Sequence, residues 1–486
     1  WCYFYAMRHL EDSQPLLSQR MVCTQLDNEA IVFGTEEYLR DTLAPYVEKP
    51  PALLCIESNC SASLIGDDMA GIAREMGIAC PVVVFDSGGL IGGFAEGYAK
   101  AAAAVLDVLS PPPMPDTSWR RVNLLGLTPG YCNGMNDQRG LERLLSLAGY
   151  EVNACPGGGT EAAGLSRLTH AALNIVVHEE LGRPLAERME KEYRIPFIAP
   201  RLPYGVAGTR AWLEAVGTAL PGKKLDVALS VCDKERDRLF IFLNEFKMVW
   251  GELWFEEAVV AAPPSTAFGL AAALRGEWAD MGRLTVIVQQ PRFGAIAPDM
   301  GDLVDAVCPA EDAGQVEEVL EHLSSGLLLG SSSENQLLRR AGRKEVQFFP
   351  VANPVEEHIR LTELPFMGLR GAGYVQECLW NDAVRQMIRD GRWDRPTSGL
   401  CVGHVQANLV VLPRDLAYDF LVFAQRNPGP CPILDVTEPG DTEPGTRCPE
   451  AAELLLCRGA ADRLHRGAGV RGRRDLAGEG ILLGKR

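Results

Sequence analysis

Short apolar runs alternate with amphipathic segments from about residue 30 to about residue 350. In the first stretch AIVFG, ALLCIE and PVVVFD predict strands, with EEYLRDTLAPYV and DDMAGIAREMG between them as helices. The prolines of PPPMPDTSW, Pro111 to Trp119, can propagate neither element and predict a linker. A second stretch runs RVNLLGL, EVNAC, ALNIVV and RIPFIAP, separated by the helical segments QRGLERLLSLAGY, EAAGLSRLTHA and PLAERMEKEY. A third runs LDVALSVC, EEAVVAAP, RLTVIVQQ, DAVCPA, GLLLGSS and VQFFPV, with helices such as GQVEEVLEHLS between them. Near-continuous apolar strands separated by helices of this length imply parallel sheets covered on both faces. The predicted class is α/β, with three tandem Rossmann-like domains over residues 1–110, 120–222 and 223–377.

Bulk properties narrow the function classes. A chain of 486 residues is too long for one core, which agrees with three domains or more. The net charge of -17 argues against nucleic acid as a partner, because a phosphate backbone needs a basic face. No apolar run reaches membrane-spanning length and no signal segment opens the chain, so no membrane partner and a cytoplasmic location are expected. The opening WCYFYAMRHL lacks an initiator Met and predicts a truncated or processed N-terminus. The 14 cysteines are scattered, with no CxxC pair to make a zinc ribbon or a thioredoxin motif. Cys55, Cys80, Cys155, Cys232 and Cys308 fall in or beside apolar runs and read as buried, inert thiols.

Two features remain for chemistry. Glycine-rich loops (DSGGLIGG, TPGYCNG, PGGGT and GSSSEN) follow the strands, where open α/β sheets keep their ligands. They either cradle a phosphate or cofactor or serve turn geometry alone. No GxGxxG opens a helix after the first strand and no GxxxxGK[ST] occurs, so a bound dinucleotide and a self-contained ATPase are not expected. In CIESNCSASLIGDD, Cys60 stands at the carboxyl end of a strand. A thiolate there suits an iron–sulfur cluster better than a hydrolytic triad, with a packed side chain as the alternative.

The run LDNEAIVFGTEEYLRDTL, then IESNCSASLIGDDMAGIAREMGIACPVVVFDSGG and GGFAEGYAKA, resembles the component 1 (molybdenum–iron protein) family of nitrogenase and nitrogenase-like reductases. LSLAGYEVNACPGGGT, ALNIVVHEELGRPLAERMEKEYRIPF, RLPYGVAGTRAWLEAVG, GLLLGSSSENQLLRRAG and LPFMGLRGAGYVQE fit the same family, so the resemblance covers roughly residues 1–377. It implies that Cys60 holds an iron–sulfur cluster shared at a subunit interface, and that Cys2 matches the cysteine of the family's HGPxGC motif as another ligand. The rest of that motif and a third ligand of the set would lie upstream of Trp1. Counting from RIPF puts His178 where the catalytic subunit has its cofactor-ligating cysteine, and counting from PFMGLRG puts His358 at its cofactor histidine. Both are expected to bind a cofactor, with an ordinary helix-start residue and an exposed loop histidine as the alternatives. Imidazole in place of thiolate is not conservative, which argues against a nitrogenase proper. The implied partners are a homologous component 1 subunit, in a homo- or heterodimer or tetramer, and a separate ATP-dependent iron–sulfur reductase protein. A second metallocofactor or a tetrapyrrole substrate is the implied ligand of the interior site. A cofactor-assembly scaffold of the same fold is the alternative role.

The character changes after about residue 378. AVRQMIRDGRWDRPTSGLCVGHVQANLVVLPRDLAYDFLVFAQRNPGPCPILDVTEPGD resembles the N-terminal part of the D-glutamate cyclase and hydro-lyase family, through PTSGL, GHVQANLVVLP and FAQRNPGPCPILDVTEPGD. Residues 378–445 are thus expected to be an incomplete α/β segment, with a cyclase or hydro-lyase activity as a third functional alternative. The remainder, 446–486, carries 9 basic and 5 acidic residues without strand periodicity. It reads as an irregular tail, of shifted-frame origin or a basic interaction tail, and the whole as a fusion of two genes.

Overall fold

Parallel sheets form where the apolar runs fall. The computed structural model describes residues 21–390, except 25, 28–29, 31, 33, 59, 87, 89–91, 110, 113–119, 223 and 290–302, together with 453–456 and 481–484. The expectations for Cys2, for most of the Pro-rich linker and for nearly all of 391–486 lie outside these residues. Two units divide the chain, Trp1–Arg389 and Asp390–Arg486.

In the first unit, α1 (Glu36–Glu48) leads into β1 (Leu54–Ser58), α2 (Cys60–Ile65), α3 (Met69–Glu75), β2 (Val82–Asp86) and α4 (Phe94–Leu109). β1 and β2 pair in parallel from Leu54 opposite Val82 to Ser58 opposite Asp86. Leu39, Leu43, Ile56, Ile72 and Ala73 make the core on one face of this small sheet; on the other face Val83 of β2 is buried, while β1 is open. One-sided cover produces alternation in β1: Ile56 and Ser58 are buried while Cys55 and Glu57 are exposed. This corrects the expectation of a buried Cys55, and Cys80 is only half-buried. AIVFG is not a strand either, since Ala30 and Val32 have helical conformation.

A four-stranded parallel sheet follows, built from β3 (Arg121–Leu125), β4 (Glu151–Ala154), β5 (Leu173–Val176) and β6 (Phe197–Ile198) in the order β4-β3-β5-β6. Its helices are α5 (Gly134–Leu147), the short α6 (Ala162–Leu165), α7 (Glu179–Tyr193) and α8 (Gly205–Ala219). Buried amides tie its two central strands, Asn123 donating to Asn174 Oδ1 at 2.8 Å. Such a bond fixes register because an unpaired buried amide would cost about 1–3 kcal/mol.

LDVALSVC, expected as a strand, instead opens α9 (Leu225–Trp250, 26 residues). Its packed positions Leu225, Ala228, Leu229 and Cys232 fall at i, i+3, i+4 and i+7, so helical period wins over local β-like composition. A five-stranded parallel sheet then forms from β7 (Trp254–Ala262), β8 (Asp280–Val288), β9 (Ala306–Pro309), β10 (Gly326–Gly330) and β11 (Val346–Pro350), in the order β11-β10-β7-β8-β9. It carries α10 (Pro264–Ala273), α11 (Ala313–His322), α12 (Ser332–Arg340) and α13 (Gly368–Arg389). The four- and five-stranded sheets share one large core, in which Val122, Leu124, Trp212, Val260 and Leu329 are buried. Strand order reverses between β3 and β5 and again between β7 and β10. Crevices at the carboxyl ends of strands beside such reversals are where doubly wound sheets bind ligands.

The second unit shows one antiparallel pair among the described residues, β12 (Glu453–Leu456) with β13 (Ile481–Gly484), in the stretch expected to lack strands.

Candidate functional site at the strand ends

Loops leaving both larger sheets meet around a pocket of about 110 Å³. Tyr131 and Cys132 come from the loop after β3, His178 from the turn after β5, Thr266 from α10 after β7, and Gln289 follows β8. Asn353, after β11, donates to Gly130 O at 2.8 Å and so fastens one sheet's loop to the other's. Asp137, near the start of α5, accepts from the backbone N–H groups of Phe366 and Met367 at 2.6 and 2.8 Å, a second such tie.

His178 owes its place to two glycines. At Gly126 (φ +89°) a Cβ would stand 2.5 Å from His178 O, and at Gly182 one would stand 2.7 Å from Leu125 backbone. Only glycine lets the first turn of α7 press against the end of β3 this closely. His178 is the N-cap residue of α7, buried, with Tyr131 edge-on at 4.8 Å between ring centroids. Its Nδ1 has no hydrogen-bond partner and lies 3.9 Å from Glu180 Oε1. Burial pushes the imidazole pKa down to about 3, so the ring is neutral at physiological pH.

Glu180 is the next turn's anchor. Its carboxyl accepts from Tyr131 OH at 3.2 Å and from Ser265, whose hydroxyl in turn accepts from Glu179 N–H at 2.9 Å. Burial raises the pKa of Glu180, and it lifts Tyr131 well above a normal phenol. Desolvation also pushes Asp137 up to about 7 and the Cys132 thiol up to about 11. On the far side of Glu180 and Ser265 lies a larger cavity of about 510 Å³, bordered by Glu179, Arg183, Pro184, Leu202 and Phe268.

The four residues expected to hold cofactors do not converge among the described residues. Cys60 begins α2 just after β1 and is half-buried. Near it, Asp86 accepts from Ser58 and Ser63, and these hydrogen bonds, led by that of Ser58, hold its carboxyl below the usual range. His358 is exposed in the segment after β11 and does not border the 110 Å³ pocket, whereas His178 does. Cys2 lies outside the described residues. The glycines of CPGGGT leave no cradle: a Cβ on Gly157 would meet Tyr98 at 2.8 Å, and one on Gly158 would meet Cys155 Sγ at 2.4 Å. These glycines serve packing.

The donors present are few for the implied metal groups. Among the described residues no group of three or more His, Cys, Asp and Glu side chains is placed to hold a metal ion. Cys60 is a single thiol, so a cluster held there would need further ligands from elsewhere. At His178 the neighbouring thiol, Cys132, is held protonated and donates to Pro350 O at 3.7 Å. Tyr131, Asp137, Glu180 and Ser265 escaped the sequence reading. The pair at 131 and 180 and the pair at 180 and 265 are 49 and 85 residues apart, and no local signal joins them.

Comparison with known proteins fits this architecture. The family model of nitrogenase component 1 type oxidoreductases matches residues 2–383. A light-independent protochlorophyllide reductase subunit of Methylobacterium sp. (strain 4-46) is 28% identical over 355 residues, 71% of this chain and 67% of that protein. A solved structure titled nitrogenase Cp1 at pH 6.5 has a TM-score of 0.65 at 16% identity, over 80% of this chain and 88% of that one, a likeness of fold alone. The stretch near 378–445 is similar to proteins that carry a hydro-lyase name. That of Geobacillus kaustophilus (strain HTA426) is 61% identical over 68 residues, 14% of this chain. The chain spans about a quarter of the length of these hydro-lyase relatives, 26% for that one. Among the described residues no helix is long and apolar enough to cross a membrane.

Proposed function

Because the chain belongs to the nitrogenase component 1 type oxidoreductase family, we propose that it is one subunit of a two-component reductase. In this reading it pairs with a homologous subunit, and an iron–sulfur cluster shared between them takes Cys60 as one ligand. A separate ATP-hydrolysing iron–sulfur protein delivers electrons to that cluster, in keeping with the lack of a phosphate-binding GxxxxGK[ST] loop in this chain. Reduction takes place at the strand ends around His178.

The observation that carries the reading is the convergence of both topological reversals on one pocket, in a chain whose family match spans both sheets. When bound, the cluster supplies one-electron transfer. The chain's own residues place a neutral imidazole, a phenol and the buried carboxyl of Asp137 at the pocket wall, with Glu180 hydrogen-bonded behind Tyr131, groups able to hold or pass a proton at fixed atoms. The relative named for protochlorophyllide reduction makes a tetrapyrrole one candidate substrate for the subunit pair. The 110 Å³ pocket is too small for it, so a tetrapyrrole would have to occupy the larger cavity or the subunit interface.

The test is electron transfer. The chain and its partner subunit, prepared anaerobically, are mixed with a reduced ATP-dependent iron protein of the protochlorophyllide-reductase type and MgATP. Oxidation of the iron protein that requires both MgATP and this chain supports the proposal. Oxidation at the same rate without the chain contradicts it. A second reading, cyclase or hydro-lyase activity from 378–445, rests on the 61% identity there. It predicts metal-independent turnover of D-glutamate by the full chain under air.

A further inference from the structure

The interior pocket conflicts with the ligand that the family resemblance implies for it. We propose that the pocket beside His178 is a binding site for one small, uncharged, hydrogen-bonding molecule, of the bulk of three or four waters, and not a metal–sulfur cofactor site. The inference deepens the reductase reading, and rests on it only in treating this pocket as the substrate side.

Size comes first. Pockets for drug-sized ligands and cofactors run from about 300 to 1,000 Å³. The volume here is about 110 Å³, room for three or four waters at ~30 Å³ each. The walls are also braced against widening, by Asn353 to Gly130 O and by Asp137 to the Phe366 and Met367 amides.

Charge comes second. Among the described residues no Lys or Arg borders the pocket; Arg360, whose charge reaches Cys132 and Asp137, is engaged with Pro350 O and the Phe366 ring, so an anion finds no counter-charge in direct contact. A cation finds one carboxyl at the pocket wall, that of Asp137, which is engaged at Oδ1 by two backbone N–H donors and which burial biases toward its neutral form. Burying an unpaired charge costs far more than burying a hydrogen-bonded neutral group.

Hydrogen bonding comes third. His178 is almost wholly buried and borders the pocket; its Nδ1 is without a partner but enclosed, 3.9 Å from Glu180 Oε1, so a pocket ligand meets that atom only if the ring turns. A buried polar atom left unbonded costs about 1–3 kcal/mol, so a molecule that pairs with it by turning the ring gains from it. A neutral imidazole offers one donor and one acceptor, which matches an amide- or alcohol-like molecule. Thr266 adds a hydroxyl to the same wall. Metal ligation would instead need further soft or anionic donors, and the one thiol present is bonded to a carbonyl.

The experiment is ligand-observed NMR on the full chain with acetamide, formate and methylammonium as probes, alongside ring-¹⁵N histidine spectra. Saturable acetamide binding is expected, with formate and methylammonium at least tenfold weaker. One histidine ring should shift on binding, the one whose signal is missing from His178→Phe, and that variant should weaken acetamide at least tenfold. A Thr266→Val chain serves as the second test if the Phe variant does not fold, with a smaller but measurable loss. Lack of saturable acetamide binding, or equal binding of the charged probes, overturns the assignment. So does iron that is incorporated on anaerobic reconstitution and lost only in His178→Phe. None of these readouts involves electron transfer, so the pocket can fail while the reductase reading stands, and the reverse.

Discussion

The neighbourhoods of Cys60 and His178 both lie at the carboxyl ends of parallel strands, yet they are built differently. Around Cys60 two described strands carry a small core, β1 is covered on one face only, and the thiol is half-buried. Around His178 sheets of four and five strands share one large core, and loops from opposite sheets are tied to each other. A half-covered strand end presents a group outward and leaves its coordination to be completed by a partner. A fully enclosed one selects a ligand by volume and hydrogen bonding. On the proposed reading the same topological position gives an interface donor in one place and an interior pocket in the other.

That contrast can be broken by substitution. Gly126→Val places a side chain at φ +89° and 2.5 Å from His178 O. It should destabilise the first unit by about 3 kcal/mol or more, since strain and overlap add, measured by urea unfolding. Core truncation should separate the regions: Ile175→Ala about 4 kcal/mol, Ile56→Ala nearer 2 kcal/mol, because the thinner core relaxes into the gap. Equal costs would mean that the small sheet is as rigid as the large ones.

Acidity sharpens the comparison next. His178 has a folded pKa of about 3, below its unfolded value, so the unfolded chain binds the extra proton. Stability is lost as pH falls below about 6.5, by up to about 1.4 kcal/mol per unit, and His178→Phe should remove that loss. Asp137 runs the other way. Its folded pKa of about 7 exceeds the unfolded one, so stability falls as pH rises from about 4 to 7. Asp137→Asn should therefore gain on the wild type across that range, read as the shift in urea midpoint. The smallest effect belongs to the outer face of β1, where Cys55→Ser should change stability by less than about 0.5 kcal/mol.

The parallel sheets and their order of elements were legible in the sequence, because helix and strand periods differ strongly in runs such as ALNIVV and GQVEEVLEHLS. LDVALSVC misled because eight residues can satisfy either period, and only the following charged turn positions extend the helical one. ALLCIE read as buried throughout because sequence shows apolarity and not how many layers cover it. At the candidate site, counting from the RIPF motif singled out His178, and its neighbours gave no such signal. Tyr131 packs on it, Ser265 bonds the neighbouring Glu180 and Asp137 borders the same pocket, across chain separations that only the tertiary fold closes.

The most direct measurement is iron and acid-labile sulfide per chain after anaerobic reconstitution with the partner subunit, for the wild type, Cys60→Ala and His178→Phe. The account predicts that both iron and sulfide fall sharply in Cys60→Ala and stay at the wild-type level in His178→Phe. Metal retained in Cys60→Ala but lost in His178→Phe would contradict it, placing the cluster in the interior pocket and leaving the strand end at Cys60 without its role.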